Sequence, residues 1–204
     1  GLRDLVSFSK TINYEYDFII FNYKSYFQND NLFIKRPSFS QDLISCKSKI
    51  EKLILLLENS YIPAPSWGKL IKLKYIKEKQ IDFKTGTNAE DILWFLNLME
   101  TCENFALTNI SFYVYRRQVP GAGTSGFNIK RYNDLFNIVS NESQRINSNF
   151  QHNNLKEILH SYLAYEFVIL LATAANFKGK EFIRRVNELM SLKWLLRFDI
   201  NKKV

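Results

Sequence analysis

The chain has 204 residues, of which 46% are hydrophobic, 24% charged and 15% aromatic, with a formal net charge of +8. This length supports one substantial domain with at most a small second core, and the hydrophobic balance excludes a disordered chain. Cys46 and Cys102 are the only cysteines, which excludes a disulfide framework and a Cys-x-x-Cys zinc site and leaves two free thiols in a reducing cytoplasm as the expectation.

The N-terminus Gly1-Leu2-Arg3-Asp4 lacks a starting Met and nothing resembles a signal peptide, so Gly1 reads as a cut or processing boundary. Leu2 to Thr11 is expected as a short helix packing Leu2, Leu5, Val6 and Phe8 or Ser9 on one side. Asp17 to Tyr23 is a near-continuous apolar run, which suits a buried strand. Tyr26 to Ile34, split by Asn29-Asp30-Asn31, reads as an edge hairpin. Ser40 and Asp42 precede a helical pattern in which Leu43, Ile50, Leu53, Ile54 and Leu57 share a face.

Pro63 to Gly68 reads as a rigid loop whose glycine permits an unusual turn. Lys69 to Lys79 is expected to return to helix, followed by a short extended piece at Ile81 to Phe83. Asn88 is placed to cap a helix over Glu90 to Cys102, with Ile92, Leu93, Phe95, Leu96 and Met99 buried. Phe105 to Tyr115 holds one or two strands. After Gly126 three helices are expected, over Asn128 to Ser148, Leu155 to Asn176 and Gly179 to Arg197. The longest apolar run, Tyr162 to Ala175, is interrupted by Glu166 and is too short to span a bilayer. His152 and His160 lie eight residues apart with no acidic partner at ligand spacing, and read as surface or helix residues rather than a metal site.

Three stretches carry chemistry together. Pro63-Ala64-Pro65-Ser66-Trp67-Gly68-Lys69 comes first, then the acidic pair Glu90-Asp91 at a helix start. The third is an aromatic strand ending Tyr113-Val114-Tyr115-Arg116-Arg117, with Gly121, Gly123, Thr124, Ser125 and Gly126 following. In this order and spacing they resemble the acceptor-side part of a family 2 inverting glycosyltransferase with the GT-A fold. The resemblance implies an α/β chain: a partial GT-A (nucleotide-diphospho-sugar transferase) domain over residues 1–126, with a few-stranded sheet and flanking helices, then a C-terminal helical region over 127–204.

Inverting transfer needs a base that takes the acceptor hydroxyl proton as its oxygen attacks the anomeric carbon. The resemblance places that base on Asp91, with Glu90 supporting. It puts acceptor contacts at Trp67, Gly68 and Lys69, and the donor diphosphate and a mobile lid at Tyr115, Arg116, Arg117 and Ser125. Each stretch also has a plain structural reading. Acids in a first helical turn complement the helix dipole, a loop tryptophan plugs a core, and a glycine cluster is an ordinary loop.

The same resemblance implies a divalent metal, Mg or Mn, held by an Asp-x-Asp motif in the full enzyme. No Asp-x-Asp occurs in this sequence, so no metal ligands are assigned here and the chain alone is expected to be inactive. The expected partners are a nucleotide-sugar donor and a glycan or lipid-linked acceptor, in polysaccharide or lipopolysaccharide synthesis at the cell envelope. An exposed sheet edge is expected to favour a homo-oligomer. The basic C-terminal helices suit either peripheral contact at the inner face of a membrane or a solvated lysine surface. Nucleic acid is not an expected partner, because the basic residues are scattered and no binding motif is present. A non-catalytic interaction module with a basic helical tail is the alternative reading.

Overall fold

The computed structural model describes residues 1–12, 15–62, 64–121, 126–149 and 153–200. Pro63, Gly123, Thr124, Ser125 and His152 lie outside them. The chain divides into two compact units. The first comprises Gly1–Lys52, Pro63–Asp82 and Thr101–Gly126, and the second Leu53–Ile62, Phe83–Glu100 and Phe127–Val204.

The first unit is built on a mixed four-stranded sheet. Its spine is β1 (Phe18–Phe27), which pairs along its whole length in parallel with β4 (Phe105–Arg117). The other edge of β1 takes two short antiparallel partners, β3 (Lys69–Ile71) against Phe18 to Ile20 and β2 (Leu32–Lys35) against Lys24 to Phe27. Phe18, Ile19, Ile20 and Phe21 are all buried, which explains the unbroken apolar run: both faces of the sheet are covered there. On one face Ile19, Phe21 and Ala106 pack with Leu5 of α1 (Leu2–Thr11). On the other, Phe18 and Phe105 stack with ring centroids 5.1 Å apart. Leu2 and Val6 of α1 are exposed, and Leu5 and Ser9 are the buried residues.

The parallel pair is not in simple register. From Phe18↔Phe105 to Phe27↔Arg117, β4 takes twelve steps against nine in β1, with the irregularity at Phe21, Asn22 and Tyr23. Asn109 uses the slack. Its side-chain amide donates to the Phe39 carbonyl at 3.0 Å and accepts the Phe39 N–H at 2.8 Å, serving a loop backbone as a strand neighbour would.

Two expected helices are divided. The segment after Ser40 forms α2 (Gln41–Ser45) and α3 (Lys49–Glu58). The Ser45 hydroxyl bonds back to Gln41 O at 2.9 Å, and the Ser48 hydroxyl caps a fresh start by accepting from Glu51 N at 3.3 Å. Lys69 to Lys79 is not one helix: its first three residues are β3, drawn into the sheet, and Leu73–Lys79 is α4.

The second unit is helical, and its long members are α5 (Glu90–Thr101, all but its last residue), α6 (Ile129–Asn149), α7 (Asn154–Ala174) and α8 (Gly179–Met190). Helix α7 is its core: Leu159, Tyr162, Leu163, Ala164 and Leu170 have no exposed surface. It begins properly, with the Asn153 side chain accepting from Lys156 N at 2.9 Å. Arg145 of α6 holds Glu100 of α5 through two bonds, at 2.6 and 3.2 Å. By length and composition α7 is able to cross a membrane, contrary to the short run expected, but 61% of its most apolar window is buried inside the protein. The last expected helix stops at Met190. The Ser191 hydroxyl returns to Glu188 O at 2.7 Å, and Lys193–Phe198 continues as a tighter 3-10 turn.

Candidate functional site

In the first unit the chemistry gathers around Trp67. Tyr23 pairs with Tyr113 and Ser25 with Tyr115, so the three tyrosines stand on one face of the β1–β4 pair. Trp67 lies in the 3-10 turn Ser66–Gly68 directly before β3. Its indole stacks on Tyr113 (centroids 4.5 Å apart, 13° between planes) and on Tyr115 (5.1 Å, 22°), and meets Tyr23 edge-on at 4.7 Å. Two guanidiniums border the cluster. Arg117 lies over the Tyr115 ring at 4.5 Å and Arg36 over Tyr23 at 5.2 Å. Trp67 is therefore half-buried in a tyrosine stack, not a bare platform.

Lys69 is buried and turned into its own loop, donating to Pro65 O at 2.9 Å and Ala64 O at 3.3 Å. Gly68 departs from expectation. Its φ is not in the left-handed region, and a Cβ there would meet nothing within 4 Å, so the turn does not require glycine. Arg116 is exposed, and beyond Arg117 the chain turns with Gln118 at φ 60°. Gln118 closes that end of the sheet, accepting from Asn29 N and donating to Asp30 Oδ2, both at 3.1 Å. Ser125 lies outside the described residues.

In the second unit Glu90 and Asp91 form the first turn of α5, both half-buried. Asn88 is not the cap that the sequence suggested. Its backbone N–H donates to Asp134 Oδ2 of α6 at 2.8 Å, and Ala89, at φ 64°, makes the turn into the helix. A left-handed alanine is uncommon and held only by its surroundings. Here Ala89 is buried and Asp134 anchors the residue before it. The Lys130 ammonium, 2.7 Å from Asp134, holds that carboxyl below its ordinary value.

Opposite this first turn the sequence reading missed two residues of α7. The Tyr162 hydroxyl donates to Ile92 O at 3.4 Å. Glu166 is 3% exposed. Burial, and then the negative charge of Asp91, push its carboxyl up to about 8, with Arg131 acting the other way. Tyr162 is likewise held above its ordinary value by burial first, then by Glu166 and Asp91. The visible signal was a single acid inside the longest apolar run of the chain. His160, on the same helix, packs against Trp194 and Phe198, and burial lowers its pKa. Among the described residues no group of three or more His, Cys, Asp or Glu is placed to hold a metal ion.

The tyrosine–tryptophan cluster and the acidic pair thus belong to different units of the chain. No protein-family model matches this chain, and no curated protein matches it in sequence. Among solved structures it is similar to TarS of S. aureus, a glycosyltransferase, crystallised as residues 1–349 in complex with UDP-GlcNAc. The match has a TM-score of 0.63 at 13% identity and covers 98% of this chain, which spans 60% of the length of that one. The α/β arrangement of a small mixed sheet, flanking helices and C-terminal helices is accordingly a glycosyltransferase-like fold.

Proposed function

We propose that this chain is the acceptor-side part of an inverting glycosyltransferase that moves a sugar from a nucleotide-sugar donor to a glycan or lipid-linked acceptor. The observation that carries the reading is Asp91 in the first turn of a helix, within a fold like that of a protein seen with UDP-GlcNAc. Asp91 acts as the general base. It takes the proton of the acceptor hydroxyl as that oxygen bonds to the anomeric carbon, and the nucleoside diphosphate leaves with the electron pair of the broken bond. Glu90 holds the incoming sugar, and Trp67 and the Gly68–Lys69 backbone border the acceptor. Arg116 and Arg117 meet the negative charge of the leaving diphosphate, and Tyr115 and Ser125 are assigned to the same donor-side role.

The donor-binding part and its divalent metal are expected outside these residues, since the sequence has no Asp-x-Asp and the described side chains offer no metal site. Work on family 2 polymer synthesis at the cytoplasmic face of the membrane, with a self-associating chain, completes the proposal.

The test is transfer by the enzyme that contains this chain, with UDP-GlcNAc as the first donor tried. Asp91→Asn is expected to lower turnover by about 10²-fold or more while donor affinity stays nearly intact. Retained turnover removes Asp91 as the base.

A further inference from the structure

Helix α6 carries asparagines at four-residue spacing, Asn133, Asn137 and Asn141, which sets the three amides along one stripe. Asparagine is a poor helix former away from a cap, so the stripe lowers helix stability rather than adding to it. The fold does not use these amides. Among the described residues none of the three makes a hydrogen bond, and the Asn133 side-chain oxygen is buried without a partner. The stripe borders two clefts of the second unit that share Asn137. The larger, of about 430 Å³, lies between α6 and α8 and is lined by Asn133, Phe136, Asn137, Arg184, Arg185 and Glu188. The smaller, of about 80 Å³, has Asn137 and Asn141 on one side and Lys84, Thr87 and Leu93 on the other. Leu93 is two residues from Asp91, roughly 200° round α5, so this cleft lies on the far side of that helix from Asp91.

The charges at the larger cleft are already paired with one another. Arg184 holds Glu181 at 2.6 Å and Glu188 at 4.0 Å, and Arg185 holds Glu181 at 2.8 Å and Glu188 at 3.1 Å. At the smaller cleft Asp134 is paired with Lys130 at 2.7 Å and Glu142 with Arg145 at 2.6 Å. A phosphate or carboxylate therefore finds no unpaired arginine here. What remains is a row of amides, each offering both a donor and an acceptor, and the half-buried Phe136 ring. Those are complements of a sugar, whose hydroxyls donate and accept and whose C–H face lies against an aromatic ring. The larger volume falls in the range of about 300–1,000 Å³ usual for small-ligand sites. We propose that the stripe is a holding site for a neutral glycan, separate from the Asp91 base: the larger cleft seats one sugar unit, and Asn137 and Asn141 guide the glycan along α6 to the smaller cleft. Its place in the enzyme rests on the reading of this chain as a glycosyltransferase. There it keeps a polymeric acceptor on the protein and raises the effective concentration of the acceptor end.

The experiment is a nitrogen-15 NMR titration of the side-chain amides of this chain with chitotetraose, with maltohexaose and, as the anionic control, with inorganic phosphate, each taken into the millimolar range. The expected result is a saturable shift of the Asn133, Asn137 and Asn141 amides with at least one oligosaccharide and none with phosphate. Asn133→Ala, Asn137→Ala and Asn141→Ala are each expected to weaken that binding by about three- to tenfold. Alanine is the stronger helix former, so the variants are expected to unfold in urea no earlier than wild type, which separates lost binding from lost structure. No shift with either oligosaccharide overturns the proposal, as do shifts with phosphate alone, or affinity unchanged in all three variants. A lower urea midpoint in Asn137→Ala also overturns it, since the amide would then serve the fold. The titration uses neither donor nor turnover, so its failure leaves Asp91 as the base, whereas an active Asp91→Asn enzyme removes the base and leaves the amide shifts standing.

Discussion

Trp67 and Tyr113 stack nearly parallel, with centroids 4.5 Å apart and planes 13° from alignment. Tyr115 extends the same stack and Tyr23 closes it edge-on. The indole holds the 3-10 turn before β3 against the β1–β4 pair, so its first task is structural, and a sugar has only the ring surface left over. Trp67→Ala is expected to cost about 2–4 kcal/mol, less than a fully buried tryptophan because the ring is half-buried, and Trp67→Phe less than half of that. Urea unfolding checks this, and an unchanged midpoint in Trp67→Ala would show the stack to be idle.

Lys52 has 1% of its surface exposed and donates to the Phe105 carbonyl and, at 2.9 Å, to the Asn104 side chain, with the Tyr16 and Phe105 rings about the ammonium. Burial lowers its pKa. Because it satisfies the start of β4, Lys52→Met is expected to take the donor from the buried Phe105 carbonyl, while the Asn104 side chain keeps the Phe105 N–H at 2.9 Å, and to cost on the order of 2–4 kcal/mol despite its similar length. A variant as stable as wild type in the same urea measurement would mean that water replaces the ammonium.

Stability should fall with rising pH on account of Glu166. Its carboxyl ionises near 8 in the fold against an ordinary 4.5, so the native state binds more protons in between. Its contribution is complete below about pH 4.5 and is lost as pH rises through about 8, a loss on the order of a few kcal/mol. Thermal melts across that window are expected to decline for wild type and to stay flat for Glu166→Gln. His160 has the opposite sign: burial lowers its pKa, so its contribution is present above about 6.5 and is lost as pH falls. A wild-type curve with no decline toward pH 8 would place Glu166 in a wetter setting.

The second unit exposes Phe182, Ile183 and Met190 on α8. Lys180 shares that helix, whereas Arg184 is paired with Glu181 at 2.6 Å. Peripheral membrane contact predicts co-sedimentation with vesicles containing anionic lipid, weakened by salt and by Ile183→Glu. Equal recovery with neutral vesicles, or none with either, would leave α8 as a solvated helix.

Elements with a local cause were legible in the sequence, and those settled by distant partners were not. The run Phe18 to Phe21 announced a strand covered on both faces, and Asn29-Asp30-Asn31 announced the hairpin that joins β1 to β2. Lys69 to Ile71 fits a helix or a strand equally well, and only β1 decides. Asn88 has good cap chemistry, but its N–H is taken by a residue 46 positions away. The Trp67 loop and the tyrosines drew notice as separate stretches; that they form one stack follows from strand pairing. Glu166 was visible only as an interruption, since its relation to Asp91 spans two helices.

The three extra residues in β4 act as a parity switch. Ahead of the irregularity, odd-numbered Phe105 stands opposite even-numbered Phe18; beyond it, odd-numbered Tyr113 stands opposite odd-numbered Tyr23. Because side chains alternate along a strand, an odd excess moves every later odd-numbered residue of β4 to the opposite face of the sheet. Tyr113 and Tyr115 reach Trp67 for that reason alone. An insertion or deletion of one residue between Thr108 and Ser111 would send both tyrosines to the wrong side, dismantling the stack without touching any residue in it.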